Sequence, residues 1–146
     1  MAFTLEESKR EHAYEAVIIV HPEASEAEQK ELFTKNKSIV ESFGGAMNSV
    51  ETWGKRPLAN AIDKNQIGNY FYTTFKTSPE AIKELERTMR INDKVLRFLN
   101  VRLKDNTDLN KHVEEYHQIL ADAEKKRREF EEKAKKRAAA RKTFNA

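Results

Sequence analysis

Glu51-Thr-Trp-Gly-Lys-Arg-Pro-Leu-Ala-Asn-Ala-Ile-Asp63, with the aromatic run Tyr70-Phe-Tyr-Thr-Thr-Phe75 just beyond it, is the stretch that decides the fold. Two β-favouring segments flank Asp63, Lys64, Asn65 and Gly68, residue types that supply turns. The stretch predicts a long β-hairpin, with arms from near Ala46 to about Ile62 and from about Asn69 to Lys76. Pro57 has no N–H to donate to a ladder, so the first arm belongs at a sheet edge, bulged between Gly54 and Pro57. Aromatic faces and a Lys55-Arg56 pair on a sheet suit RNA, since bases stack on rings and phosphates attract cations. The same aromatics also serve as core filling, and the pattern alone leaves both uses open.

Working outward, Tyr14-Glu-Ala-Val-Ile-Ile-Val20 is apolar on both of its faces and predicts a central strand. Ser25 and Glu28 have capping-box spacing, and Leu32, Phe33, Asn36, Ile39, Val40 and Phe43 follow a helical period up to Gly44-Gly45. Ser78-Pro79-Glu80 starts a second helix whose buried face is Ile82, Leu85 and Met89. Asn92-Asp93 breaks it ahead of a last strand, Val95 to Leu103. Alternation sets Val95, Leu99, Val101 and Leu103, with Arg97, against Leu96, Phe98, Asn100 and Arg102. The order strand-helix-strand-strand-helix-strand is the ferredoxin-like βαββαβ arrangement, an α+β fold. Right-handed crossovers then give a four-stranded antiparallel sheet with two helices on one face and the first and third strands central. The other face stays bare of helices and must meet solvent, RNA, a protein or the tail.

Three segments emerge: an extension over 1–12, the ferredoxin-like domain over 13–105, and a charged tail over 106–146. Thr4-Leu-Glu-Glu7 has capping-box spacing in the first of these. The domain is nearly neutral, with 14 Lys+Arg against 13 Asp+Glu. The tail is polarised: 107–124 holds 1 basic and 5 acidic residues, whereas 125–146 holds 10 basic and 3 acidic. Leu109, Val113, Tyr116, Leu120, Ala123, Phe130 and Ala134 step by threes and fours, with Arg127 in the one gap, which predicts a long helix from about Asp108 to Lys142. An RNA-reaching arm, a self-docked helix and a dimer seam all fit that pattern.

Cysteine is absent, which removes disulfides, thiol nucleophiles and thiolate metal sites. No apolar run approaches bilayer length and residues 1–12 lack an apolar h-region, so the expectation is a cytoplasmic, soluble chain without a leader. His12, His21, His112 and His117 have no metal-ligand spacing, and no P-loop, dinucleotide turn or nucleophile elbow is present. Neither an enzyme nor a bound cofactor is expected.

Tyr14-Glu15, His21-Pro22, Trp53-Gly54-Lys55-Arg56-Pro57-Leu58-Ala59 with Ile62, and Arg90-Ile-Asn-Asp-Lys-Val-Leu-Arg97 together resemble the bacterial small-subunit ribosomal protein six family, over roughly residues 13–105. Asn60 stands where that family usually has Tyr, and Pro57 where a polar or basic residue is common. The resemblance implies binding to the central domain of small-subunit ribosomal RNA together with ribosomal protein eighteen, by a chain that is monomeric when free and heterodimeric with that partner. Among the cations, Lys55, Arg56, Lys64, Arg90, Lys94, Arg97 and Arg102 are the expected phosphate contacts, with Arg90, Lys94 and Arg97 clustered where the second helix meets the last strand. Tyr14, Trp53, Tyr70 and Phe98 are the expected partner contacts. The rival reading is a ferredoxin-like adaptor that dimerises through a tail coiled coil.

Overall fold

A computed structural model describes residues 11–145. The turn expected over Thr4 to Glu7 lies outside the described residues. In order, the elements are β1 (His12–Val20), α1 (Glu26–Ser42), β2 (Ala46–Ile62), β3 (Asn65–Thr77), α2 (Pro79–Arg90), β4 (Val95–Arg102) and α3 (Leu109–Phe144). The sheet runs β2-β3-β1-β4 with every pairing antiparallel, so the Pro57 strand and the last strand are the two edges, as expected. The chain divides after Leu109 into two compact units.

In the first unit the core lies between the sheet and the two helices. Tyr14, Ala16, Ile18 and Val20 of β1 and Phe71 and Phe75 of β3 face Leu32 and Val40 of α1 and Leu85 and Met89 of α2. Phe33 lies against Phe71, ring centres 4.7 Å apart. Ser25 caps α1 by accepting from the Glu28 N–H at 3.1 Å, and its hydroxyl reaches the Glu28 carboxylate at 3.3 Å, a contribution of about 1 kcal/mol. The other end closes as the Gly44-Gly45 pair predicts: Gly44 takes φ +83°, and the Gly44 and Gly45 N–H groups reach the Glu41 and Val40 carbonyls at 3.0 and 2.9 Å. Ser78 sits at the α2 start as expected but makes no side-chain cap; Pro79 and Glu80 follow it into the helix.

Three differences from the sequence reading matter for the surface. β3 begins at Asn65 rather than near Asn69, because the turn is only Asp63-Lys64, both with positive φ as a twisted two-residue hairpin turn requires. Gly68 is therefore a strand residue, with Ile19 and Leu58 filling the space a side chain would take. Along β2 the register shifts at Asn48, at Trp53 and between Pro57 and Ile62, so Pro57 itself stays paired, with Ile67. On β4 the register shifts by one at Leu96: Val95 faces Val20, whereas Arg97 faces Ile19. That extra residue changes the strand's phase. Val95 turns toward α1 and α2, as do Phe98 and Asn100, while Arg97, Leu99 and Val101 turn to the opposite face of the sheet.

The second unit is α3, whose span agrees with the helix expected over 108–142. Residues 121–145 are exposed throughout, and Arg128–Glu124 and Arg127–Glu131 are ion pairs one turn apart, at 3.8 and 3.9 Å.

Candidate nucleic-acid and partner interface

Antiparallel pairing puts facing residues on the same side, so the registers write out the face turned away from α1 and α2 as rows across four strands. One row is Ser49, Thr74, Glu15 and Val101; the next is Glu51, Tyr72, Val17 and Leu99; the third is Gly54, Tyr70, Ile19 and Arg97. Trp53 is the extra residue of the second β2 bulge. Gly54 follows it at φ +78°, the left-handed conformation that lets a bulge re-aim its neighbour. The indole lies on the ring of Tyr72, centres 5.4 Å apart and 14° from parallel, and the Arg56 guanidinium lies over the indole at 6.0 Å. The Arg56 Nε donates to the Trp53 carbonyl at 3.2 Å. Beneath this stack the Tyr72 hydroxyl donates to Glu15 Oε2 at 2.6 Å, and Tyr72 is only 1% exposed. The result is a layered cation, indole and phenol on the β2 side of the face. On the β4 side the face ends in Leu99, 61% exposed, and Val101, with Arg97 beside them.

The expected cations therefore separate. Lys55 and Arg56 are exposed along β2, and Lys64 is exposed at the hairpin turn. Arg97 is exposed at the opposite edge, on the side of the sheet turned away from α1 and α2. Arg90 and Lys94 stay at the junction of α2 with β4, where Arg90 lies over the Phe98 ring at 5.8 Å and pairs with Glu86 at 3.5 Å, and Lys94 pairs with Glu28 at 3.6 Å. The single cluster of Arg90, Lys94 and Arg97 expected from sequence does not form. The bulge at Leu96 sends Arg97 to the other side of the sheet. Arg102, opposite Tyr14, reaches His12 Nδ1 at 3.0 Å and Asp105 at 3.3 Å. The hydrogen bond from His12, and after it that from Arg102, hold the Asp105 carboxyl below the ordinary carboxylate range.

The aromatic candidates separate too. Trp53 and Tyr70 lie on the face turned away from α1 and α2. Tyr14, 6% exposed and stacked on Phe75 at 5.8 Å, is a core residue, and burial pushes its phenol above the ordinary value. Phe98 packs against the core on the covered side. The surface expected at these two residues lies instead at Leu99 and Val101, which the strand phase read without its bulge did not place. Among the described residues, no group of three or more His, Asp or Glu is arranged to hold a metal ion, and no helix is long and apolar enough to cross a membrane.

Comparison with known proteins adds the family. The model of ribosomal protein S6 matches residues 13–102. The small ribosomal subunit protein bS6 of Bdellovibrio bacteriovorus is 50% identical over 119 residues, covering 82% of this chain and 78% of that protein. That of Caldanaerobacter subterraneus subsp. tengcongensis is 39% identical over 93 residues, which are 64% of this chain and 98% of that protein. The crystal structure of the 30S ribosomal protein S6 of Thermotoga maritima superposes with a TM-score of 0.60 at 28% identity, over 74% of this chain and 99% of that one. The fold and these matches agree: the chain belongs to the ribosomal protein S6 family.

Proposed function

We propose that this chain binds the central domain of small-subunit ribosomal RNA together with ribosomal protein eighteen, as a free monomer that becomes a heterodimer, within the cytoplasmic small subunit. The family is structural, and the chain is not an enzyme. One observation carries the finer reading: the face turned away from α1 and α2 has aromatic and apolar residues along its middle, with cations at both edges of the sheet. Trp53, Tyr70, Leu99 and Val101 offer a partner protein the aromatic and aliphatic surface that interfaces favour. Tyr14 and Phe98 support that surface from the core side. Lys55, Arg56, Lys64 and Arg97 offer phosphate contacts that fix the domain on RNA without reading sequence. Arg90, Lys94 and Arg102, already engaged with carboxylates, are the weaker contacts of the seven.

The test is RNA affinity against salt with ribosomal protein eighteen present. Each phosphate contact removed flattens the log–log slope by roughly 0.7–0.9. Arg97→Ala and the pair Lys55→Ala with Arg56→Ala are expected to flatten it, and Arg102→Ala to change it least. An unchanged slope for the first two refutes the RNA half. Failure of the purified chain to associate with ribosomal protein eighteen by sedimentation or calorimetry refutes the other half.

A further inference from the structure

The last part of α3 has a face of its own. At 3.6 residues per turn, Lys126, Arg127, Lys133, Arg137 and Arg141 fall within about 60° either side of the line through Phe130. Glu129, Glu131 and Glu132 all lie roughly a quarter turn or more from that line. Half of the 10 cations in 125–146 thus share a face without carboxylates, and all 3 carboxylates sit among the other half. Phe130 and Phe144 stand on the cationic face, 73% and 91% exposed. Ala134 and Ala138 leave space between the arginines, so the backbone there can come close to a partner.

We propose that this face, centred on Phe130, Arg137 and Arg141, is a second RNA-binding element of the chain, engaging phosphates along one run of structured RNA. The proposal rests on RNA being the partner of the first unit, and it adds a site outside the segment that the family model matches. Charge complementarity selects the occupant. Five cations along one side of a helix, Arg127 being shared with Glu131 at 3.9 Å, suit a polyanion, and exposed phenylalanines suit unpaired bases at its edge. A dimer seam fits poorly, because the heptad positions, all apolar from Leu109 to Ala123, then set Arg127, Arg137 and Arg141 among Phe130, Ala134 and Phe144. A helix lying on a copy of itself would bring those like charges together. A lipid surface fits poorly as well, since the apolar residues form no continuous band that could sink below the headgroups.

The experiment uses the full chain, the central-domain transcript and ribosomal protein eighteen. One variant carries K126Q, R127Q, K133Q, R137Q and R141Q; a second carries K125Q, R128Q, K135Q, K136Q and K142Q, an equal loss of charge from the other side. Helicity by circular dichroism checks that both variants keep α3. Expected is a log–log salt slope flattened by roughly 3.5–4.5 in the first variant, five contacts' worth, and by less than about 1 in the second. An unchanged slope in the first overturns the proposal. Equal flattening in both overturns the assignment to this face. A wild-type dimer in sedimentation that only the first variant dissociates assigns the face to a second copy, and overturns it likewise. The two sites are separable. If K55Q, R56Q and R97Q leave binding intact while the first tail variant weakens it, the tail site stands and the sheet rims do not bind RNA.

Discussion

Replacing Trp53 by Ala tests how much the aromatic stack of Trp53 on Tyr72 contributes to packing. Trp53 is half-buried, so roughly 100 Å² of its surface is withdrawn from water, worth about 2.5 kcal/mol at about 25 cal/mol per Å². Stacking on Tyr72 adds about 0.5–1.5 kcal/mol, and the exposed Arg56 above it about 0.5 kcal/mol. A compact unfolded chain already buries part of this area, which lowers the sum to about 2–4 kcal/mol. The Tyr72 ring cannot follow into the vacated space, because its hydroxyl is fixed on Glu15. Trp53 is the only tryptophan, so unfolding in urea is followed by circular dichroism rather than fluorescence. Arg56→Ala alone is expected to cost under about 1 kcal/mol, and a double-mutant cycle to return a coupling near 0.5 kcal/mol. A Trp53→Ala variant within about 0.5 kcal/mol of wild type refutes the reasoning.

Other perturbations read other parts of the fold. Gly45→Ala would drive a Cβ into the Lys76 carbonyl, so we expect it to destabilise by at least about 2 kcal/mol in urea; Gly44→Ala, strained only by its positive φ, should cost about 1 kcal/mol. Lys64→Gly gives the hairpin the Asp-Gly turn it prefers, and relief of a left-handed lysine, less glycine's added chain entropy, predicts a gain of about 0.5 kcal/mol; a loss would show that the turn is unstrained. Asp105 is held below its ordinary value near 3.8 by His12 and Arg102. Its contribution is therefore complete above that value and disappears as pH falls through the lower folded one, so the melting temperatures of wild type and Asp105→Asn should converge below about pH 4. A gap that stays constant down to pH 2 would remove the linkage.

The strand and helix order, the edge position of β2, the glycine stop of α1 and the extent of α3 were all legible in the sequence. Each is written in local chemistry: β-branched runs, a proline without N–H, a left-handed C-terminus, a heptad step. What was not legible depends on pairing. Gly68 looks like a turn residue until Ile19 and Leu58 are seen to occupy its missing side chain. Tyr14 looks like a surface ring until β1 is covered by helices on that side. The phase of β4 was the costliest gap, since one unpaired residue at Leu96 decides whether Arg97 joins Arg90 or faces the opposite way. A bulge leaves no mark in alternation when both faces of a strand carry apolar residues.

The irregular β2 edge has a further consequence, for the chain before it meets its partners. A strand of 17 residues at the rim of a sheet is a template on which another copy's strand could add, the first step toward insoluble fibres. Here the outer row of N–H and C=O groups is broken at Asn48, at Trp53 and again after Pro57, and Pro57 offers no donor at all. Lys55 and Arg56 put two like charges where an incoming copy would have to align its own. No uninterrupted run long enough to seed a second sheet is left. The kinks that aim Trp53 across the face thus also make this edge a poor template for strand addition.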